Sequence, residues 1–133
     1  MKYELSFGYI NKLTENIGEV VVNYGVKMSL EMLDEYDLLL DTIFDNEFGL
    51  LINKINHYTY SYEAKLSIAS HKNIKAMAVV YYFPSAKSMT TELLNVRKVD
   101  KLNMREYSGL ELGWQQAFEW LISELKSKKN QPV

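Results

Sequence analysis

The chain has 133 residues, of which 47% are hydrophobic and 24% are charged, and its formal net charge is −2. These values are typical of one folded domain and exclude a disordered chain, which would be poorer in apolar residues and more highly charged. The absence of cysteine excludes disulfides, thiol nucleophiles and cysteine-ligated metals. Because nucleic-acid binding requires a basic surface, the slightly acidic balance indicates no nucleic-acid partner.

No part of the sequence predicts insertion into a membrane. Residues 1–13 are too polar and too regularly alternating for a signal peptide. No apolar stretch approaches the ~20 residues that a membrane-spanning helix requires. We therefore expect no membrane span and a cytoplasmic location for this protein.

The first predicted elements are two strands and a helix. Residues 3–10 alternate between apolar and polar side chains, which predicts a strand with one solvated face. The β-rich run 19–24 is its antiparallel partner, and Gly25 ends the pair. Ser29 is a favourable N-cap for the helix that follows. The apolar stripe of that helix comprises Met32, Leu33, Tyr36, Leu39, Leu40, Ile43 and Phe44.

The rest of the chain alternates strands with helices. We predict a strand over 48–52, a helix over 62–71, a strand over 76–83, a helix over 86–97 and a strand over 103–107. Residues 76–83 are apolar without interruption, which is typical of a central strand covered on both faces. The successive strand–helix units indicate that the later strands are parallel, with right-handed crossovers.

The last helix begins with the spacing of a capping box. Ser108 precedes Glu111 by three residues, so that each side chain can satisfy the free backbone amide of the other residue. Residues 128–133 are expected to form a frayed tail. The complete order is β-β-α-β-α-β-α-β-α, which indicates a single α/β domain over residues 1–133 with a mixed sheet of about five strands.

The segment 48–61 reads FGLLINKINHYTYS. It resembles the signature stretch of small bacterial proteins of the STAS-like fold, which typically read FGYI, a basic residue and INSYS. The opening strand pair, the acidic first helix, the AVV strand and the final helix with Ala and Trp on one face match that family in pattern. The resemblance implies a mixed sheet with helices mainly on one face. It also implies regulatory protein–protein interaction, as in anti-sigma-factor antagonists, rather than catalysis.

The phosphorylation switch of that family does not carry over to this chain. Its motif, Asp-Ser-Ser/Thr-Gly after the third strand, falls by position on Tyr60, Ser61, Tyr62 and Glu63. Only Ser61 retains its type, and it is the serine beside the phosphate acceptor. The resemblance therefore implies partner binding without the serine switch.

A polar and aromatic loop follows the strand 48–52. In open α/β sheets, ligands bind beyond the carboxyl ends of the parallel strands. We therefore predict ligand or partner binding by Asn53, Asn56, His57, Tyr58, Tyr60 and Ser61. Amides and backbone N–H groups can hold a polar ligand, and tyrosines supply contact area. A second interpretation stays open, in which the asparagines form turns, Ser61 caps a helix and the tyrosines pack over the sheet edge.

The two histidines, His57 and His71, do not indicate catalysis or metal binding. Their spacing is not that of helical metal ligands. His57 can titrate near neutral pH, but no serine, cysteine or paired carboxylate is placed by sequence to act with it. We therefore expect no catalytic residue, no metal and no cofactor.

Three functions remain open at this point. The first is a non-enzymatic STAS-like regulatory or interaction domain, whose protein partner the sequence does not identify. The second is a binder of a nucleotide or a lipid-like compound, by analogy with the architecture of lipid-carrying CRAL-TRIO-like domains. The third is an enzyme that uses His57. A homodimer is a further hypothesis, because helices on one face would leave the other face of the apolar strand 76–83 to be covered by a second copy.

Overall fold

A six-stranded sheet forms the centre of the protein. The computed structural model describes residues 1–67, 71–83 and 103–130. Its elements, in chain order, are β1 (Lys2–Leu5), β2 (Gly8–Thr14), β3 (Ile17–Val22), β4 (Lys27–Met28), α1 (Leu30–Ile43), β5 (Phe48–Lys54), β6 (Thr59–Tyr60), α2 (Tyr62–Ser67), β7 (Ile74–Tyr81), β8 (Met104–Ser108), a 3-10 helix (Gly109–Glu111) and α3 (Gly113–Asn130). The helix expected over 86–97 lies outside the described residues.

The sheet is mixed, as the sequence predicts. Its strand order is β1-β2-β3-β5-β7-β8. The first three strands are antiparallel neighbours, and β3, β5, β7 and β8 are parallel neighbours. The structure therefore confirms the α/β class and the parallel pairing of β5 with β7. Within the described residues the sheet has six strands, where we expected about five, and β4 and β6 form a separate pair.

The additional strand comes from the beginning of the chain, where residues 3–10 form a hairpin rather than one strand. Leu5 lies opposite Gly8 in the register of β1 and β2. Partners across the hairpin share a face of the sheet, so the two-residue turn moves the inward positions from Tyr3 and Leu5 in β1 to Gly8 and Ile10 in β2. Phe7 lies in the turn and is buried as well, so the alternation over residues 3–7 continues into the turn and hides it. A Cβ atom at Gly8 would collide with the carbonyl oxygen of Val21. Glycine is therefore required where β2 lies against β3.

Helix α1 forms as predicted. The Ser29 hydroxyl accepts a hydrogen bond from the Met32 amide at 3.3 Å, which satisfies a free donor of the first turn. At the other end, the Lys12 ammonium donates to the carbonyl oxygen of Ile43 at 2.8 Å, where a positive charge complements the helix dipole. The buried face of α1 comprises Leu33, Tyr36, Leu40 and Ile43.

Two of the three described helices, α1 and α2, lie on one face of the sheet, and α3 lies on the other face. Side chains of α1 and α2 pack with Leu50 and Ile52 of β5, whereas Ala117 and Leu121 of α3 pack with Leu51 on the opposite face. Crossovers of one hand place their helices on one face. Helix α3 follows the last strand and is not a crossover, so it is free to cover the other face. The argument for a homodimer from an uncovered face therefore does not apply.

The start of α3 differs from the predicted capping box. The Ser108 side chain makes no capping hydrogen bond, and the chain first forms the 3-10 turn Gly109–Glu111. Leu112 then adopts a left-handed conformation with φ of 62°, and α3 begins at Gly113. The change of direction from β8 into α3 thus needs a tight turn that the capping spacing does not describe. The helix extends to Asn130, so residues 128–130 of the expected frayed tail are helical.

A small parallel pair, β4 with β6, joins two loops at the carboxyl edge of the sheet. The Val26 carbonyl accepts from the Thr59 amide at 2.9 Å, and the Met28 carbonyl accepts from the Ser61 amide at 2.8 Å. The sequence did not predict these strands, because two residues each are too few to show a period. Their pairing holds the loop after β5 against the segment that precedes α1.

Candidate functional site

A narrow cavity lies between α1, the β4–β6 pair and the sheet. About 430 Å³ of space, part of it open to solvent, is left unfilled there. The unfilled space is so narrow that it can hold about one water molecule as it stands. The lining residues are Val20, Val22, Met28, Tyr36, Ile52, Lys54, Tyr58, Tyr60, Met77, Val79 and Met104.

The walls of the cavity are mainly apolar because they continue the hydrophobic core on the face of the sheet that α1 covers, called the α1 face below. Val20 and Val22 of β3 are two residues apart, as are Met77 and Val79 of β7, and residues at this spacing share a face of the sheet. Met28, Met77 and Met104 all line the space. Methionine side chains are flexible and adapt to irregular shapes, so these walls can rearrange around a bound group.

Lys54 places a positive charge inside this apolar space. It follows Leu50 and Ile52 on the α1 face of β5, and only 4% of its surface is exposed. Its ammonium nitrogen lies 4.8 Å from the centroid of the Tyr58 ring and 5.2 Å from that of Tyr60. These are cation–π distances. No carboxylate of the described residues forms an ion pair with Lys54.

Three tyrosine hydroxyls complete the polar part of the lining. The hydroxyl oxygens of Tyr58 and Tyr60 are 3.4 Å apart. The hydroxyl of Tyr36 is buried and has no hydrogen-bond partner within the described ranges of the chain. Burial raises the pKa of Tyr36, and burial together with the neighbouring Tyr60 raises the pKa of Tyr58. Tyr36 and Tyr58 therefore stay neutral and can donate hydrogen bonds at physiological pH.

Of the six residues predicted to bind a ligand, the structure brings Tyr58 and Tyr60 to this cavity and places Asn53 on the opposite face of the sheet. The Asn53 amide nitrogen donates to Glu19 Oε2 at 2.9 Å. The Trp114 indole nitrogen donates to the same oxygen at 2.9 Å. Successive residues of a strand face opposite sides, which separates Asn53 from its neighbour Lys54.

The other three predicted residues have local roles around the loop. Asn56 donates from its amide nitrogen to the Val22 carbonyl at 3.0 Å. The Ser61 hydroxyl accepts from the Ala64 amide at 3.1 Å, at the start of α2. The cap interpretation therefore describes Ser61, whereas Asn56 bonds the backbone of the distant strand β3 and not its own turn. His57 is exposed, and its ring centroid lies 5.5 Å from that of Phe83.

Lys54 belongs to the rim that the sequence predicts after the strand 48–52 but is not among the six predicted binding residues, and Tyr36 is in neither set. A signal for Lys54 was present, because it continues the spacing of Leu50 and Ile52 on the buried face of β5. Tyr36 belongs to the predicted apolar stripe of α1. Its position above the cavity depends on how the helix is rotated and docked against the sheet, which one helix period does not determine.

The described part of the chain offers no comparable second site. Within it, no group of three metal-ligating side chains comes together, and none of its helices is long and apolar enough to cross a membrane. A larger open cleft near the end of α1 is lined by charged residues. There the Lys75 ammonium pairs with the Glu47 carboxylate, and Lys12 donates to the backbone. Both lysines of that cleft therefore have protein partners.

The segment 48–61, which carries the resemblance to STAS-like proteins, forms β5, β6 and the loop between them. It supplies Ile52, Lys54, Tyr58 and Tyr60 to the cavity. In comparisons with known proteins, no protein-family model, no curated protein and no solved structure matches this chain.

Proposed function

We propose that this protein is a non-enzymatic binding domain that holds a small molecule in the cavity between α1 and the sheet. The observation that carries the proposal is Lys54, a lysine residue that is 4% exposed and pairs with no described carboxylate. Burial of an ammonium costs several kcal/mol unless another group compensates for the lost hydration. Departures from the rules of core packing are expected at functional sites, and a ligand that faces Lys54 would supply the missing compensation.

The shape and chemistry of the cavity favour a slender, largely apolar ligand over a nucleotide. Most of the lining is aliphatic or methionine, and the space is narrow. Nucleotide sites use glycine-rich loops and helix N-termini around the phosphates, and neither contributes to the lining described here. Of the two ligand classes that the sequence left open, the apolar lining favours the lipid-like class, whose chain would enter as the methionine side chains move apart.

The test is a substitution that fills the edge of the cavity with a larger side chain. Its control introduces the same side chain at the next residue of the strand, which lies on the other face of the sheet. Met104 lines the cavity. Its neighbour Arg105 is exposed, and its guanidinium lies 5.3 Å from the centroid of the Trp120 ring, on the α3 face. We expect 1-octanol and octanoate to raise the Tm of the wild-type protein and of Arg105→Trp, but not that of Met104→Trp. Equal stabilisation of all three proteins would contradict the proposal.

A regulatory protein interaction of the STAS-like type is the second candidate, supported by exposed apolar side chains at the carboxyl edge of the sheet. Tyr24, Ile55 and Tyr62 are 79%, 54% and 70% exposed. Their loops are adjacent, since the Gly25 amide donates to the His57 carbonyl at 2.8 Å. Clustered aromatic and aliphatic side chains favour protein interfaces.

The interaction candidate predicts that a specific protein is retained from a lysate by the wild-type chain and lost in the double variant Tyr24→Ser, Ile55→Ser. Leu38→Ser is the matched control, because Leu38 is 68% exposed on α1. Retention that is equal in the double variant and the control would remove this edge from consideration as the interface.

A further inference from the structure

The cavity lining presents more hydrogen-bond donors than acceptors, and this asymmetry bears on the charge of its ligand. Lys54 contributes three N–H donors and no acceptor. Tyr36 contributes a hydroxyl without a described partner, and the Tyr58–Tyr60 pair can satisfy only one of its two O–H groups internally. Such a set is complemented by a group that accepts several hydrogen bonds.

We propose that the ligand is an aliphatic monocarboxylate whose carboxylate binds Lys54. The inference rests on the proposed function and names the ligand class of the same cavity. A carboxylate offers two oxygens with about four lone-pair sites, which matches the donors around it. It also neutralises the ammonium, so that the buried site holds a paired charge instead of an isolated one.

The same reasoning favours a carboxylate over other ligand head groups. A phosphate monoester carries nearly two negative charges at neutral pH, and the cavity supplies one lysine, so a second buried charge would be uncompensated. An alcohol leaves the ammonium unneutralised. An alkylammonium places a like charge beside Lys54, which is unfavourable at this depth. The apolar walls around Lys54 suit the hydrocarbon tail.

The experiment compares probes of equal tail length by isothermal titration calorimetry: octanoate, 1-octanol and octylammonium. With the wild-type protein we expect octanoate to bind about 10- to 100-fold more tightly than 1-octanol, the ratio that one charge-assisted hydrogen bond provides. We expect no binding of octylammonium. This comparison needs no variant and does not depend on how a substitution affects folding.

Two lysine variants test whether Lys54 is the origin of that preference. Lys54→Met keeps an unbranched side chain and removes the charge, so octanoate affinity should fall about 10- to 100-fold while 1-octanol affinity is retained. Lys27→Met is the control, since Lys27 is an exposed lysine of β4, and it should change neither affinity. A preference for octanoate that survives Lys54→Met would overturn the inference.

A spectroscopic readout reports the charge pair directly. The ¹³C resonance of bound [1-¹³C]octanoate should show a carboxylate that stays ionised below the pH at which free octanoate protonates, because the ammonium favours the charged form. In Lys54→Met this protection should disappear. A bound carboxylate that titrates as it does in free solution would contradict a pairing with Lys54.

Failure of this inference and failure of the proposed function give different results. If octanoate and 1-octanol bind the wild-type protein equally and Met104→Trp abolishes both, the cavity binds ligands and the carboxylate assignment is wrong. If butanoate, hexanoate, octanoate and the matching alcohols all fail to bind, the cavity is not a site for aliphatic ligands, and both proposals are wrong.

Discussion

The ammonium nitrogen of Lys54 lies 4.8 Å from the centroid of the Tyr58 ring, and both side chains are buried. A cation–π contact contributes about 0.5–2 kcal/mol, whereas the effective penalty for burying an ion is several kcal/mol. The contact therefore offsets only part of the cost of placing Lys54 inside the cavity. We therefore expect this charge to lower the stability of the ligand-free fold.

The first prediction follows from that imbalance. Lys54→Met should increase the free energy of unfolding of the ligand-free protein by about 1–2 kcal/mol, since it removes an unpaired buried charge and keeps an apolar stem. Urea denaturation monitored by circular dichroism measures the change. Lys27→Met, at an exposed position, should stay within about 0.5 kcal/mol of the wild type. A loss of more than about 1 kcal/mol in Lys54→Met would show that the lysine stabilises the fold.

The second prediction concerns the buried hydroxyl of Tyr36. It has no hydrogen-bond partner in the described ranges, and an unsatisfied buried polar group costs about 1–3 kcal/mol. Tyr36→Phe should therefore leave the ligand-free protein equally stable or up to about 1 kcal/mol more stable, as measured by urea denaturation. If Tyr36→Phe were destabilised by 2 kcal/mol or more, the hydroxyl would have to hold a protein or water partner in solution.

These two residues show which parts of the site a sequence can reveal. Lys54 continues the alternation of Leu50 and Ile52 in β5, so its direction into the α1 face follows from the strand period alone. The position of Tyr36 above it depends on how α1 docks against the sheet. Likewise, Asn53 was grouped with Tyr58 because both follow one strand in the chain, although the pleat sends Asn53 to the other face.

The same distinction applies to the fold: some of its features can be predicted from a short stretch of sequence, and others depend on contacts between distant residues. The apolar run of β7 and the Ser29 cap of α1 are local patterns, and both were predicted from the sequence. The placement of α3 on the second face depends on packing between Leu51 and Leu121, which are far apart in sequence. The turn through Leu112, with φ of 62°, has no local signal, because leucine rarely adopts this conformation.

The third prediction compares two glycines that are required for different reasons. A Cβ at Gly8 would meet the Val21 carbonyl oxygen of the neighbouring strand, so Gly8→Ala must displace backbone and should cost about 2–3 kcal/mol or more. Gly25 has φ of +80° and open space around its Cβ position. Gly25→Ala should therefore cost only the left-handed conformation, about 1–2 kcal/mol. Urea denaturation ranks the two variants, and a milder effect at Gly8 would contradict the close approach of β2 to β3.

The last prediction uses the half-buried carboxyl of Asp37 on α1. Burial raises its pKa; the charges of Asp41 and Asp34 act in the same direction, whereas His71 opposes them. The folded pKa is thus above the unfolded value of about 3.9. A group shifted in this direction stabilises the fold at pH values below its unfolded pKa, and that contribution is lost as the pH rises through its folded pKa. At neutral pH the ionised Asp37 is therefore unfavourable.

Asp37→Asn should consequently raise Tm at pH 7 by about 1–3 °C, a modest gain because solvent screens a partly exposed carboxylate. The gain should shrink as the pH falls below about 4, where the wild-type carboxyl is protonated in the folded and unfolded states alike. Thermal denaturation of both proteins between pH 3 and 7 measures the difference, with Glu15→Gln as an exposed control. An advantage of Asp37→Asn that grows toward low pH would reverse the sign of this linkage, and it would mean that Asp37 stabilises the fold in its ionised form.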